Sequence, residues 1–235
     1  MKLFQLELKG GNQLKEYEIY SDIKTPICSK TILRLDGRSF HTLSSKLNLL
    51  KPYDDKFSSV MSNVSLDIFK EFSPAFIYTF SDEINILLDD ILFSGRIEKL
   101  NSVFSSFASS SFTSNLNKYF DTENIKPIAF DSRIIPITSN EIFKYFKWRQ
   151  DEAWRNCVNG YGIWALKEEF SDKIANEKIH GLKFQDIHEL LFNKGINLNN
   201  VPTWQKRGIA VYKNNDDKII KDLEIPKFNN DFFIR

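Results

Sequence analysis

Two short apolar runs joined by only three polar residues constrain the fold of this chain most strongly. Residues 75–80 and residues 84–88 each have the length of a strand, and a Ser-Asp-Glu segment at 81–83 lies between them. Apolar runs this close together are typical of a β-hairpin. The sequence therefore predicts two adjacent antiparallel strands with an acidic turn.

Further strand-like and helical segments surround this hairpin. Residues 32–35 and 128–137 have the pattern of strands, whereas the apolar residues of segments 54–72 and 100–119 recur at helical spacing. The resulting order is β-α-β-β-α-β, which is the split unit of ferredoxin-like folds. We therefore predict an α+β fold.

The second half of the chain has a mostly helical pattern. Residues 140–169 form a long amphipathic segment, although two glycines weaken its middle, and residues 184–193 form a second helix. Residues 209–212 have the pattern of a short strand. The charged, Asn-rich tail at 214–235 is predicted to lie on the surface or to fray.

The composition is that of an ordinary globular protein. Hydrophobic residues make up 42% and charged residues 27% of the 235 residues, which is typical of folded domains. We expect one compact unit, with a sheet domain over residues 1–138 and a mostly helical part over 139–235.

No apolar run reaches the about 18 residues of a membrane span, and the first residues lack the order of a signal peptide. Cys28 and Cys157 form neither a disulfide framework nor a metal-ligand spacing, so a cytoplasmic protein is expected.

The charge balance bears on the kind of partner. The chain has 32 basic and 31 acidic residues, which gives a formal net charge of +1. A strongly electrostatic nucleic-acid binder usually has a clear basic excess. The balance argues against such a binder unless a local basic surface is offset by acids elsewhere.

Acidic residues follow the first predicted strand and occupy the hairpin turn. In a sheet of this topology, Asp36 at the end of the first strand lies near Asp82 and Glu83. Converging carboxylates repel each other unless a cation neutralises them. Mg²⁺ binds one or two carboxylates together with water and phosphate, and two such ions form the site of nucleotidyl transfer. Gly37 allows close approach of a ligand, and the amides that follow can bind a triphosphate.

Each acidic motif has a simpler interpretation when it is taken alone. Most Asp-Gly pairs, such as Asp36-Gly37, are plain turns, and a Ser-Asp-Glu segment is commonly a solvated hairpin turn. The placement of the two motifs on adjacent strands favours a shared metal and nucleotide site.

Distinct motifs follow one another along most of the chain. They are Arg34-Leu-Asp-Gly-Arg-Ser-Phe-His41, Lys51-Pro52 with Asp54, Phe80-Ser-Asp-Glu83, Phe130-Asp-Ser-Arg133, Trp148-Arg-Gln150 with Trp154-Arg-Asn156, and a stretch from His188 to Gly208. Together they resemble the motifs of the tRNA(His) guanylyltransferase family over roughly residues 16–213. The later motifs are more similar to the archaeal-type guanylyltransferase-like proteins than to the eukaryotic enzymes.

This resemblance implies a catalytic domain like the palm of polymerases and nucleotide addition in the 3′-to-5′ direction. The 5′-monophosphate of a tRNA is first activated, usually by ATP. The 3′-hydroxyl of GTP or another NTP then attacks the activated end and expels AMP, whereas a 5′-triphosphate end loses pyrophosphate instead. The resemblance further implies two Mg²⁺ ions and a homotetramer.

The resemblance also implies roles for individual residues. Asp36 and Asp82, with the Gly37 carbonyl, would hold both Mg²⁺ ions, and Glu83 would support them as a residue required for activity. The triphosphate site would consist of Asp36, Gly37, Arg38, Ser39, Phe40, His41, Ser81 and Asp82, with Lys51 and Asp54 nearby. The candidate tRNA contacts are Arg149, Arg155, Asn156, Lys206 and Arg207.

One motif departs from the eukaryotic pattern. Eukaryotic members carry His-Ile-Asn-Asn-Leu-Tyr-Asn-Thr for recognition of tRNA(His), whereas this chain has Trp154 at the His position and keeps Asn156. We therefore favour template-dependent repair of 5′-truncated tRNA over the alternative, addition of a G at position −1 of tRNA(His). A palm-type nucleotide cyclase is disfavoured because the glycines expected beside its hairpin acids are missing. A non-catalytic tRNA-binding protein is disfavoured because all three acids are present.

Overall fold

A computed structural model describes residues 14–27 and 29–233, so Cys28 lies outside the described residues. The strands are β1 (Lys30–Gly37), β2 (Phe76–Phe80), β3 (Glu83–Leu88), β4 (Phe130–Ile137), β5 (Ile209–Lys213) and β6 (Ile219–Asp222). The α-helices are α1 (Phe40–Lys46), α2 (Asp55–Phe72), α3 (Ile97–Leu116), α4 (Ile142–Lys167), α5 (Asp172–His180), α6 (Phe184–Asn193) and α7 (Thr203–Arg207).

The six strands form one antiparallel sheet in the order β4-β1-β3-β2-β5-β6. From β1 to β4 the chain follows the β-α-β-β-α-β order, with both α1 and α2 between β1 and β2. The hairpin is tighter than predicted, because Glu83 is the first residue of β3 and pairs with Phe80. The prediction of a mixed fold of strands and helices is confirmed.

One face of the sheet packs against α2 and α3. Leu33 of β1 and Ile86 of β3 point to this face and are fully buried. Side chains alternate along a strand, so every second residue of an apolar run joins the same layer. Phe104 and Phe112 of α3 are fully buried in this layer, and each such side chain contributes about 1.5–3 kcal/mol.

Polar residues fix the beginning and the end of α2. The Asp54 carboxylate accepts hydrogen bonds from the amides of Phe57 and Leu50, both at 2.9 Å. The first of these is an N-cap, which satisfies a helix amide that has no partner within the helix. Ser73, which directly follows the last residue of the helix, adopts the left-handed conformation with φ 46°. Asp54 thereby fixes the loop before α2 as well as the helix itself.

The other face of the sheet packs against α4 and the C-terminal tail. The prediction that the tail lies on the surface or frays is wrong for residues 219–228, since β6 extends the sheet and Ile225 and Phe228 are buried. The Gln150 side chain accepts a hydrogen bond from the Phe228 amide at 2.8 Å and donates one to the Pro226 carbonyl at 3.0 Å. The few apolar residues of this polar segment therefore attach it to the core.

Helices α5 and α6 pack on the second half of α4. The sequence pattern predicted neither α5 nor α7. Helix α4 continues through its two glycines. A Cβ atom at Gly162 would lie 2.7 Å from the Ile179 side chain, so glycine at this position permits close packing of α5. Among the described residues, no helix is long and apolar enough to cross a bilayer.

Candidate active site

Strands β1 and β3 bring acidic residues from distant parts of the sequence to one edge of the sheet. Asp36 is directly opposite Glu83 in the antiparallel register. The Gly37 amide donates a hydrogen bond to the Asp82 carbonyl oxygen at 3.1 Å. This hydrogen bond holds the hairpin turn, Ser81 and Asp82, against the end of β1. The two-residue turn therefore places Asp82 beside Asp36.

The neighbouring acids at this edge affect the ionisation of Asp82. Burial raises the pKa of the Asp82 carboxyl, and the nearby charges of Asp36 and Glu83 raise it further. The Ser81 hydroxyl donates a hydrogen bond to the Asp82 carboxylate at 3.1 Å, which favours the charged form. No salt bridge between described residues involves Asp36 or Asp82. The pair is therefore suited to bind a cation.

The oxygen atoms at this edge fit Mg²⁺ better than a softer metal. Across residues 14–27 and 29–233, no group of three or more His, Cys, Asp and Glu side chains is arranged to hold a metal ion. Mg²⁺ commonly uses only one or two carboxylates and completes its shell with water and phosphate oxygens. Asp36, Asp82 and the Gly37 carbonyl match that donor set.

Glu83 is engaged in a buried ion pair. Its two carboxylate oxygens accept hydrogen bonds from Nε and Nη2 of Arg149, both at 2.7 Å. Asn85 donates a further hydrogen bond to Glu83 at 2.8 Å and accepts one from the Tyr145 hydroxyl at 2.6 Å. The carboxylate of Glu83 thus links β3 to α4.

The position of Arg149 corrects one of the predicted tRNA contacts. Arg149 is only 7% exposed, and its guanidinium is paired with Glu83 and lies over the Trp148 ring at 4.5 Å. Local sequence does not reveal this pair, because its members are 66 positions apart. Arg149 therefore belongs to the interior and not to an exposed phosphate-binding surface.

A cavity of about 630 Å³ opens beside Asp82. Of the predicted nucleotide-site residues, its wall includes Phe40, His41, Lys51, Asp54, Ser81 and Asp82, whereas Asp36, Gly37, Arg38 and Ser39 are not part of the wall. Tyr53 and Trp204, whose rings meet edge to face at 5.7 Å, form another part of the wall. Both aromatic residues lie within the quoted motifs but had no predicted role, because only the fold brings their two segments together.

The turn after β1 uses its backbone groups differently from the prediction. The Gly37 amide is occupied by Asp82, and the Arg38 amide donates to the Ala129 carbonyl at 2.9 Å. Both amides are therefore unavailable to a phosphate. Of the predicted phosphate-binding amides, only those from Ser39 onward remain. A Cβ atom at Gly37 would lie 2.6 Å from the Phe40 ring, which explains the glycine. The Phe40 ring is buried in the core, where it packs against Phe112 and Phe130.

Lys51 and Asp54 lie in one loop but have different partners. The Lys51 ammonium donates a hydrogen bond to the Ser44 hydroxyl. Burial lowers the pKa of Lys51, and the Lys167 charge lowers it further. The Asp54 carboxylate is occupied by the backbone amides of Leu50 and Phe57. The Lys51 ammonium can therefore bind an anionic ligand. Asp54 instead orders the loop that contains Lys51.

The other predicted tRNA contacts are accessible. Arg155 and Asn156 are exposed on α4, and Arg155 forms an ion pair with Glu152. Asn156 lines the large cavity, whereas Lys206 and Arg207 line a second, smaller one. Asp131 of β4, which belongs to a quoted motif but had no predicted role, lies directly opposite Asp36 in the register.

Comparison with known proteins assigns the chain to a family. A family model described as tRNAHis guanylyltransferase matches residues 11–138, and a model described as Thg1 C terminal domain matches residues 140–230. The chain belongs to the tRNA(His) guanylyltransferase family. Its members are named as guanylyltransferases, so the predicted family and the predicted enzyme class, a nucleotidyltransferase, are confirmed.

Individual members of the tRNA(His) guanylyltransferase family are similar over most of their length. The chain is 32% identical to the probable tRNA(His) guanylyltransferase of Dictyostelium discoideum over 205 residues, covering 83% of this chain and 80% of the relative. It is 29% identical to the tRNA(His) guanylyltransferase of Saccharomyces cerevisiae, covering 84% and 87%. A solved bacterial guanylyltransferase-like protein in complex with ATP has a TM-score of 0.78 at 28% identity, covering 92% of this chain and 93% of that chain. The same kind of bacterial protein in complex with GTP has a TM-score of 0.69 at 25% identity, covering 92% of each chain.

Proposed function

We propose that this protein is a magnesium-dependent nucleotidyltransferase that activates the 5′ end of tRNA and adds nucleotides in the 3′-to-5′ direction, thereby repairing 5′-truncated tRNA. The observation that carries this proposal is the position of Asp36 and Asp82 at one sheet edge, beside a cavity of about 630 Å³. Cavities of about 300–1,000 Å³ are typical of small-molecule sites. The location is therefore suited to a nucleotide held next to two carboxylates.

Asp36 and Asp82 would hold the Mg²⁺ ions, and the Gly37 carbonyl would be a further ligand. When bound, the ions neutralise phosphate charge and lower the pKa of the attacking hydroxyl. Among the described residues, neither carboxylate forms a salt bridge with a cationic side chain, which supports this role. Ser81 helps to orient Asp82 through its hydrogen bond of 3.1 Å.

The triphosphate would lie along the cavity wall next to Asp82. His41 and Lys51 line this wall. The first backbone hydrogen bond of α1 is donated by the Thr42 amide, so the amides of Ser39, Phe40 and His41 are not used within the helix. A fixed ammonium and free amides are suitable partners for phosphate oxygens. Phosphoryl transfer depends mainly on such positioning and charge stabilisation.

The proposed reaction uses this site in two stages. In the first stage, the 5′-phosphate of the tRNA attacks the α-phosphorus of ATP or GTP, a phosphoanhydride bond forms between them, and pyrophosphate leaves. The 3′-hydroxyl of the incoming NTP then forms a bond to the activated phosphorus, the bond to the AMP or GMP leaving group breaks, and the hydroxyl proton is released to solvent. The bacterial relatives in complex with ATP and with GTP support the use of both nucleotides.

The surroundings of Trp154 favour repair as the finer function. The Trp154 ring packs against the rings of Phe184 and His188, with centroid distances of 6.0 and 5.7 Å. This apolar residue occupies the position at which eukaryotic members are expected to have a histidine. Recognition of tRNA(His) through that histidine is therefore unsupported. The second candidate function, addition of a G at position −1 of tRNA(His), is favoured by the names of the curated relatives.

The proposal includes a cytoplasmic homotetramer. A subunit of 27.5 kDa is small relative to a tRNA, so a binding surface shared between subunits would fit a large polyanionic substrate.

The test is 5′-end labelling of tRNA. The protein is incubated with Mg²⁺, ATP, labelled GTP and a 5′-truncated tRNA, and we expect label at the 5′ end. Asp36→Asn and Asp82→Asn should abolish labelling, whereas Asp90→Asn, in an exposed turn, is the matched control. Activity of either site variant within about tenfold of wild type, a barrier change of only about 1.4 kcal/mol, would contradict the proposed site.

A second substrate comparison separates repair from addition to tRNA(His). We expect a truncated tRNA other than tRNA(His) to receive the nucleotides that pair with its 3′ strand when all four NTPs are present. Addition of G alone, and only to tRNA(His), would instead support the second candidate function.

A further inference from the structure

A second, smaller cavity is also bounded by α4 and α7. Its volume is about 280 Å³, and we call it the basic groove. Four cationic side chains line it, with a single carboxylate. The cations are Lys147, Lys206, Arg207 and Lys227, and the carboxylate is that of Asp151. The net charge of the whole chain is only +1, so the groove is a local concentration of positive charge.

Most of this charge is oriented but not neutralised. Lys147 forms an ion pair with Asp151. The Lys206 ammonium donates to the Asn199 carbonyl at 2.8 Å, and the Arg207 guanidinium donates to the Ile225 carbonyl at 3.2 Å. Carbonyl acceptors fix a cation in place without cancelling its charge. No carboxylate of the described residues forms a salt bridge with Lys206, Arg207 or Lys227, so these three cations can still bind an anion.

Two amide side chains, those of Gln150 and Asn199, line the groove beside its cations, and the first of them is already occupied. Both polar atoms of the Gln150 amide are used by the backbone of the tail, at Phe228 and Pro226. The Trp154 ring is held by α6 and forms an apolar wall. Sequence is read by hydrogen bonds to base edges, whereas cations on phosphates provide affinity and register. The groove is therefore suited to a phosphate backbone of any sequence.

The groove is adjacent in the fold to the candidate active site. On α7, Trp204 and Gln205 line the large cavity, whereas Lys206 and Arg207 line the groove. On α4, Asn156 lines the large cavity and Trp154 lines the groove. Residues one or two positions apart thus contribute to both.

We propose that the basic groove binds the phosphodiester backbone of the tRNA, independently of its sequence, and so guides the 5′ end toward Asp36 and Asp82. This inference rests on the proposed function. The inference adds Lys147 and Lys227 to the candidate tRNA contacts, although no sequence motif indicated them. It also removes the buried Arg149 from those contacts. Recognition through the backbone fits an enzyme that repairs tRNAs of different sequence.

The same cations could bind the phosphates of a free nucleotide, so the test measures both ligands. Affinity for a 5′-truncated tRNA is measured by filter binding between about 50 and 200 mM salt for wild type, Lys206→Ala, Lys227→Ala and the double variant. Affinity for GTP with Mg²⁺ is measured in parallel without tRNA. Lys70→Ala, an exposed lysine at the end of α2, is the matched control, and Lys206→Arg tests whether charge alone restores binding.

We expect each alanine substitution to weaken tRNA binding by about tenfold at 0.1 M salt and to reduce the salt slope by about 0.7–0.9. Lys206→Arg and Lys70→Ala should match wild type, and GTP affinity should be unchanged. An unchanged salt slope in the double variant would overturn the inference. A loss of GTP affinity with normal tRNA binding would also overturn it, because the groove would then be a nucleotide site.

The two proposals fail in different ways. A wild-type protein that binds tRNA through these lysines but adds no nucleotide would refute the proposed function and leave the groove in place. A protein that adds nucleotides but whose tRNA affinity is insensitive to these lysines would refute the groove alone.

Discussion

Replacing Arg149 by methionine should destabilise the fold severely, because it leaves the Glu83 carboxylate buried without its cation. Both side chains of the pair are only 9% exposed, so solvent cannot take the place of the guanidinium. The change removes two charge-assisted hydrogen bonds of 2.7 Å, each worth roughly 1.5–3 kcal/mol. Breaking a buried pair by removing one partner typically costs about 3–5 kcal/mol. We expect a loss of that size in the free energy of unfolding.

Urea denaturation followed by circular dichroism measures this loss. The double variant Glu83→Gln, Arg149→Met should recover much of the stability, because neither charge is then buried alone. Lys147→Ala breaks an exposed ion pair with Asp151 on the same helix and should cost at most about 0.5 kcal/mol. This variant is the matched control.

Two outcomes would refute this reasoning. A cost below about 1 kcal/mol for Arg149→Met would mean that the pair is not desolvated as the geometry requires. Normal stability combined with weakened, less salt-dependent tRNA binding would mean that Arg149 faces the RNA, as the sequence pattern first indicated.

Three further predictions concern other parts of the molecule. Burial raises the pKa of the Cys157 thiol to about 11, so peptide mass spectrometry should find Cys157 unmodified by iodoacetamide at about pH 8 until urea is added; rapid native labelling would contradict its burial. Ser73 has a φ of 46° directly after α2, a conformation that glycine adopts without strain, so Ser73→Gly should raise the free energy of unfolding by about 0.5–1 kcal/mol. Ser106→Gly, inside α3, should lower the free energy of unfolding by a similar amount. A lower melting temperature for Ser73→Gly than for wild type would contradict this prediction. The pKa of Lys51 is lowered by burial and by a neighbouring lysine, so GTP affinity should fall as pH rises toward about 10, and Lys51→Arg should remove this dependence; an identical pH profile for the variant would exclude Lys51 from the phosphate site.

The sequence was sufficient to predict the hairpin and the neighbourhood of its acids. The apolar runs flanking residues 81–83 require a tight turn, and the order of strands then brings Asp36 to that turn. These features depend on local patterns and on the few topologies open to a β-α-β-β-α-β unit.

Features that depend on long-range pairing could not be predicted. Glu83 stands next to Asp82 in sequence, yet the alternation of a strand turns its carboxylate toward Arg149, 66 positions away. The tail looks polar in composition, but Ile225 and Phe228 are buried in one cluster with residues of the sheet and of α4. No local pattern shows which distant residue will satisfy a buried charge or cover an apolar face.

Metal binding between the two aspartates is the most direct test of this account. A crystal grown with GTP and Mn²⁺ in place of Mg²⁺ should show anomalous scattering at a position coordinated by carboxylate oxygens of both Asp36 and Asp82, at about 2.0–2.2 Å, with the triphosphate in the cavity lined by His41 and Lys51. A metal bound through the phosphates alone, with neither aspartate in direct coordination, would contradict the account.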